Sequence, residues 1–392
     1  MNAGASKPEA DPPPIYSHHR DCMRILFLSK RRYMGKDVIV DRYARMYEFP
    51  FQLARRGHEI LACCLSYGAA EEGRWAHQAS PGTLEWRSWN LGRVVLPGLA
   101  RFRRETLAAA RAFRPDIVLG GSDIPHCVLA RHLAACLGVP YAIDLYDNFE
   151  SYGQARLPGA VAALRWAARG AGHISCVSAP LSDYVLGSYG VTCPVTTLES
   201  TVDRDLFRPA DRAACRKRLG LPSGAQLIGT AGALSAEKGI SVLYDAFGLL
   251  ARDHPELHLV VAGPPDPRTP PPRGSRVHVL GSLPHAEVAT LFNALDVAVI
   301  CIRDTPFGRY SFPQKAYEMI ACGVPVIAAD IGAMSTLLHA FPGALYRADD
   351  ASDLAEKLAG QLRRPAPVTV PIRNWEELAA QLEQGLQQAL PG

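Results

Sequence analysis

From Ile25 onward, short and nearly continuous apolar runs alternate with longer stretches in which apolar residues recur every three or four positions. In the first half the continuous runs are residues 25–28, 59–65, 116–120, 141–146, 173–178 and 195–198. In the second half they are 226–232, 258–263, 277–281, 297–302, 324–330 and 344–347. Strands that lack polar alternation belong to parallel sheets covered on both faces. Helical stretches such as 41–57 and 238–251 separate many of them. Repetition of strand and helix in this way predicts an α/β chain with two doubly wound, Rossmann-like halves.

The rhythm divides the chain into four segments. Residues 1–22 form a polar, Pro-rich tail expected to be disordered. Residues 23–205 form the first Rossmann-like domain and 206–370 the second. After the break at 365–371, residues 371–392 carry a last amphipathic helix. The Pro-rich stretch 264–274 reads as a surface loop, because strand and helix resume directly behind it.

Composition narrows the class. A chain of 392 residues, 48% apolar and 20% charged, is an ordinary globular chain, which excludes disorder and collagen-like repeats. The 42 basic against 38 acidic residues leave a charge of +4, too small to imply nucleic acid. Two short basic clusters stand out. Lys30, Arg31 and Arg32 are expected to face water. Arg101, Arg103 and Arg104 enclose Phe102 and lie near Leu99, a mixed basic and apolar character that fits peripheral contact with an anionic membrane. The 10 cysteines are scattered without a CxxC, so no metal site is expected. The N-terminus lacks a signal-peptide core and no run reaches 18 apolar residues. A soluble, cytoplasmic protein is expected, with possible contact at the inner membrane face.

Two doubly wound domains point to a nucleotide ligand at the carboxyl ends of their strands. No GxGxxG follows the first strand, Gly35-Lys36 is followed by Asp37 rather than by a P-loop hydroxyl, and Ser122 in GGSDI lacks the last glycine of a nucleophile elbow. The informative stretch is GRYSFPQKAYEMIACGVPVIAAD, from Gly308 to Asp330. Ser311 and Gln314 have the spacing of a capping box with Pro313 in the first turn, which predicts a helix from Ser311 to Gly323. A glycine-bearing loop entering such a helix offers N–H groups to a diphosphate. Lys315 and Glu318 share a helical face, suited to a phosphate and to ribose hydroxyls, or simply to an i,i+3 ion pair. A second segment, GTAGALSAEKG, follows the first strand of the second half and brings Gly232 and Lys238 to the same cleft.

In this order and spacing the segments resemble the retaining glycosyltransferases of family 4, which have the GT-B fold. The resemblance runs through GTAGALSAEKGISVLYDAF, HLVVAG, VLGSLPHAEVATLFNALDVAVI and FPQKAYEMIACGVPVIAADIG. Weaker echoes in the first half are FQLARRGHEI, RPDIVLGG, VPYAIDLYDNFES and TVDRDLF. The resemblance implies transfer of a sugar, with retention and no metal or other cofactor, from a nucleotide-diphosphate donor (UDP or GDP) to a glycan or lipid-linked acceptor. By the same resemblance Lys238 meets the donor diphosphate and Glu318 the ribose, and these two carry the catalytic assignment. Ser282 and Leu283 lie near the base, and Gly232, Arg309, Tyr310 and Ser311 near the phosphates and sugar. The final helix crosses back to the first domain. Acceptor-side candidates are Gly35, Asp37, His126 and Asp147.

The chain departs from the family pattern in three places. Ala233 stands where an arginine usually follows the glycine, Tyr310 where the first of two paired glutamates is usual, and Tyr146 where many members have a histidine. Lys315 and Arg309 are expected to replace the arginine, and Asp304 or loop backbone to meet the sugar. The alternatives are a catalytically degenerate GT-B binding or scaffold protein and a nucleotide-sugar epimerase of the same architecture.

Overall fold

The structure, a computed structural model, describes residues 22–151 and 153–391. Apart from the exposed Cys22, the tail expected over 1–22 lies outside the described residues.

Each apolar run becomes a strand, usually trimmed by a residue or two at its end. The first half contains β1 (Arg24–Lys30), β2 (Arg32–Tyr33), β3 (Lys36–Asp37), β4 (Glu59–Ser66), β5 (Gly73–Ala79), β6 (Gly82–Asn90), β7 (Ile117–Gly121), β8 (Tyr141–Leu145), β9 (His173–Cys176) and β10 (Val195–Thr197). The second contains β11 (Gln226–Ala231), β12 (Leu257–Ala262), β13 (Val277–Val279), β14 (Val297–Ile300), β15 (Val326–Ala329) and β16 (Leu345–Tyr346). They form an eight-stranded sheet ordered β10-β9-β8-β7-β1-β4-β6-β5 and a six-stranded sheet ordered β13-β12-β11-β14-β15-β16, while β2 and β3 make a separate hairpin. All pairings in the two large sheets are parallel except that of β5 with β6. The β5–β6 hairpin is the element the apolar runs do not reveal. β5 is the sheet edge and its side chains alternate between half-buried and exposed, while β6 beside it alternates buried Leu84, Trp86 and Ser88 with half-buried polar residues, since one face meets water.

Strand order reverses between β1 and β7 in the first sheet and between β11 and β14 in the second. A crevice opens at each reversal, because the flanking helices leave toward opposite faces. The two crevices are where the functional candidates gather.

Each sheet has its own buried cluster. The change occurs between Leu198, which packs in the first, and Val202, which packs in the second. Leu378, Ala379, Leu382 and Leu386 of the last helix (Trp375–Ala389) return to the first cluster. This helix begins with a complete capping box, Asn374 and Glu377. It docks through Trp375 edge-on to Phe49 at 5.8 Å and through Glu383, which meets Arg56 at 2.5 Å and His58 at 2.9 Å. Gly385 permits the closest approach, since a Cβ there would lie 2.3 Å from the His173 ring. The two crossings are tied together: Arg373 pairs with Glu199 at 2.9 Å and its carbonyl accepts the Thr201 hydroxyl.

Candidate functional site

The second crevice is built by glycines and two lysines. Gly232 follows β11 with φ +122° and donates its N–H to Ala262 O at 2.9 Å. Lys315 reaches back over this turn. Its Nζ donates to Ala231 O at 3.3 Å, and a Cβ on residue 232 would lie 3.7 Å from the amine. Lys315 therefore points to the strand ends and not to Glu318. Burial lowers its pKa, against the pull of Cys301 and Glu318.

Lys238 ends a short 3₁₀ turn (Ala236–Lys238) ahead of the helix Ile240–Leu250, and its ammonium lies 3.7 Å from the centre of the Phe307 ring. Burial, and then the charge of Lys315, push its pKa down to about 8; Asp147 and Glu237 oppose the shift. Asp147 belongs to the first half, so the two halves share one electrostatic site. Lys315 and Lys238 repel one another across this crevice, a repulsion that a diphosphate between them would relieve.

Glu318 is buried, at 7% exposure. Gln314 Nε2 lies 3.4 Å from its Oε1, and His285 Nε2 lies 3.5 Å from the same oxygen. Tyr43 of the first half stacks edge-on to His285 at 5.4 Å, and its hydroxyl pKa is raised by burial and then by Glu318. Ser282 is exposed and Leu283 half-buried on the loop that enters the His285–Ala294 helix, the same rim that carries His285.

The helix expected from Ser311 to Gly323 is broken. A short helix, Pro306–Tyr310, is capped by Thr305, whose hydroxyl accepts from Gly308 N at 3.2 Å. Ser311 is extended, with ψ 158°, and the next helix spans only Lys315–Ala321, so the Ser311–Gln314 capping box does not form. The physical reason is Pro313, which disfavours helical geometry at Phe312. Freed from the helix, Phe312 packs against both buried clusters and lies 4.9 Å from Tyr317.

Arg309 is exposed and paired with Asp304 at 2.5 Å. Tyr310 stacks on Tyr184 of the first half at 4.6 Å, and its carbonyl accepts the Ser178 hydroxyl at 2.6 Å. Tyr310 and Tyr184 line a cavity of about 470 Å³ between the halves, together with Asn148, Glu150, Thr305 and Phe307 among others. Phe307 thus separates this cavity from Lys238.

In the first crevice the structure corrects the reading of Lys30 and Arg31 as water-facing. Lys30 ends β1 at the strand reversal; its Nζ donates to Tyr146 at 2.7 Å, and burial lowers its pKa against Asp123 and Asp147. Arg31 is 2% exposed and pairs with Asp37 at 2.8 Å. Both lie at the carboxyl end of a buried strand and turn to opposite sides, Lys30 into the crevice and Arg31 toward Ser88 of β6 and the Trp75 ring of β5. Only Arg32 is exposed. Asp37 also accepts from Ile39 N and Val40 N, so it organises its loop, while Gly35 supplies the φ +81° of the β2–β3 turn. His126 is buried, with Nδ1 2.5 Å from Asp123 Oδ1. In the basic cluster of the helix Val95–Phe113, Phe102 turns inward, Arg101 pairs with Glu72 and Arg104 with Glu105. The exposed apolar residues are Val94, Val95 and Leu96 just ahead of it.

Lys30, Tyr43, Tyr184 and His285 are functional-site neighbours that sequence reasoning missed. The position of Lys30 at the carboxyl end of the first strand was the available signal; the other three carry none that is local.

Two mononucleotide-type sheets facing a cleft, with a terminal helix that crosses back, define the GT-B architecture. The chain matches the family described as "Glycosyl transferase 4-like domain" over residues 48–197 and "Glycosyl transferases group 1" over residues 225–364. It belongs to the family-4 glycosyltransferases of GT-B fold. D-inositol 3-phosphate glycosyltransferase 1 of Catenulispora acidiphila is 34% identical over 206 residues, 48% of each chain. The Mycobacterium avium D-inositol 3-phosphate glycosyltransferase is 33% identical over 179 residues, 42% of this chain and 40% of the relative. The match thus spans less than half the length of these curated relatives. Among solved structures, sucrose-phosphate synthase of Thermosynechococcus elongatus superposes with TM-score 0.72 at 18% identity, covering 93% of this chain and 98% of that one. Anabaena Alr3699/HepE, in complex with UDP and glucose, gives 0.65 at 18% identity, covering 94% and 95%. At such identities the likeness is one of fold.

Proposed function

We propose that the chain transfers a sugar from a nucleotide-diphosphate donor to a glycan or lipid-linked acceptor, retaining the anomeric configuration. The observation that carries this reading is the convergence of Lys238 and Lys315 at the strand reversal of the second half. Departure of the nucleoside diphosphate concentrates negative charge where these ammonium groups lie. Preorganised cations of this kind stabilise the transition state more than the ground state. Protein cations can supply this charge, so the proposed transfer needs no metal. Buried Glu318 is the candidate for the ribose hydroxyls, and the Ser282–Leu283 rim for the base. Arg309 is available to a donor only if it exchanges Asp304 for phosphate.

The acceptor enters from the first half, past Asp147 and Lys30. Solved relatives of the fold hold UDP or UDP-glucose, which supports a UDP-sugar ahead of a GDP-sugar. Ala233 and Tyr310, in place of the usual arginine and glutamate, favour a degenerate binding protein as the second reading.

A thermal-shift panel of UDP-, GDP-, ADP- and TDP-sugars separates the two, because a ligand of the native state raises its stability by mass action. One donor is expected to stabilise the chain and slowly release its nucleotide. Silence across the panel overturns the transferase and favours a degenerate scaffold protein; stabilisation without turnover on any acceptor leaves a degenerate binding protein. The product's anomeric proton coupling tests retention.

A further inference from the structure

Between the helices Val95–Phe113 and Ile124–Leu137 lies a groove of about 380 Å³. Leu65, Leu99, Phe102, Ile124, Val128 and Leu129 make its walls almost wholly apolar. One buried nitrogen interrupts them. His126, 1% exposed, lines the groove; Asp123 engages its Nδ1, while its Nε2 is buried with no hydrogen-bond partner among the described residues. A buried polar atom left unpaired is costly and calls for an explanation such as an absent ligand. Arg103 stands at the groove with His132, 3.1 Å away.

The apolar surface does not stop at the groove. Val95 precedes Leu99 by four positions and Phe102 by seven, so the three share a helical face. Val94, Val95 and Leu96 are 64%, 54% and 77% exposed. The groove also adjoins the reaction cleft. Ser122, one residue before Asp123, accepts the backbone N–H of Lys30, and the Lys30 ammonium lies on Tyr146 beside Asp147.

We infer that this groove takes the apolar chain of a lipid-linked acceptor, an isoprenyl phosphate, whose phosphate meets Arg103 and whose phosphate hydroxyl donates to the His126 Nε2 lone pair that Asp123's hold on Nδ1 leaves free. The inference rests on the transferase reading and names its acceptor class. Apolar walls offer nothing to the hydroxyls of a free glycan, whereas one cation and one acceptor nitrogen beside them match a single phosphate head that carries one hydroxyl. The strip Val94–Leu96 carries the part of the chain that outruns the groove.

Trp89 packs on Phe102 at 5.8 Å, so an occupant of the groove changes its fluorescence. The full chain is titrated with farnesyl phosphate, farnesol, inorganic phosphate and a phosphorylated polyol. Saturable change with farnesyl phosphate, about tenfold tighter than with farnesol and absent with the two water-soluble phosphates, is the expected result. Leu129→Glu places a charge in the half-buried wall and should abolish it. Arg103→Gln, at an exposed position, should reduce farnesyl phosphate to the level of farnesol. UDP affinity, read by calorimetry, should hold in both variants. No saturable change, equal binding by the variants, or equally tight binding of the polyol phosphate overturns the inference. A wild-type chain that binds no nucleotide sugar or nucleotide sinks the transferase reading instead, whatever the groove does.

Discussion

The two halves share a winding and differ in the charge they present to the cleft. The second brings two ammonium groups, Lys238 and Lys315, to its strand reversal, with the carboxylate of Glu318 set apart under Tyr43 and His285. The first brings Lys30 together with Asp123 and Asp147, so its cation is matched by carboxylates. The difference teaches which side is built for an anion. A lone cation between two carboxylates gains little from a diphosphate, whereas two ammonium groups that repel one another gain more, because the anion relieves that repulsion.

The halves also differ in how they are braced, and the largest expected effect breaks that brace. In the first, Arg45 and Asp144 form a fully buried two-point pair at 2.6 and 2.8 Å, with Ser175 and the Leu198 carbonyl completing it. The corresponding pair of the second half, Arg216 with Asp296, leaves Asp296 partly exposed. Arg45→Ala strands a buried carboxylate and should cost about 3–5 kcal/mol in chemical denaturation. Arg216→Ala should cost less; equal losses would show that the two braces do not differ.

Lys238→Ala comes next. With the fold intact by circular dichroism, loss of a cation at the leaving diphosphate should lower donor turnover by about 10²–10³. Unchanged turnover would move the anion site elsewhere.

A smaller effect follows pH. The Lys238 pKa falls from 10.5 to about 8 on folding, so the unfolded chain binds the extra proton between those values and stability rises with pH across that window. Donor affinity runs the other way: the charged form binds, so UDP affinity should fall as pH rises through about 8. Lys238→Arg should flatten that fall, because a guanidinium stays charged; calorimetry at several pH values checks it.

The smallest effect belongs to Arg309, which is exposed and already paired with Asp304. Arg309→Ala should leave donor affinity within about twofold at physiological salt. A loss as large as that of Lys238→Ala would show that Arg309 exchanges its partner and joins the site.

Much of this was legible in the order of residues. Continuous apolar runs marked the parallel strands, because burial on both faces leaves no polar alternation. The Pro-rich break at 365–371 and the amphipathic pattern behind it marked the last helix, because both signals are local. Lys238, Lys315 and Glu318 became candidates through the resemblance of their segments to the family, not through spacing alone, and the structure brings Lys238 and Lys315 to one crevice. The hairpin β5–β6 was missed because its residues alternate in polarity instead of forming a continuous apolar run, one face of each strand being less buried. The broken helix at Ser311 was misread because local capping chemistry lost to Pro313 and to the seating of Phe312 between the halves.

The sequence by itself determined which segments become strands and helices, since those depend on neighbours a few positions away. Only the tertiary structure decided that Lys30 turns inward to Tyr146, 116 positions later, that Asp147 faces Lys238, and that Tyr43 covers Glu318. Such pairings depend on how two separately wound sheets and one returning helix dock, and distance along the chain carries no record of that angle.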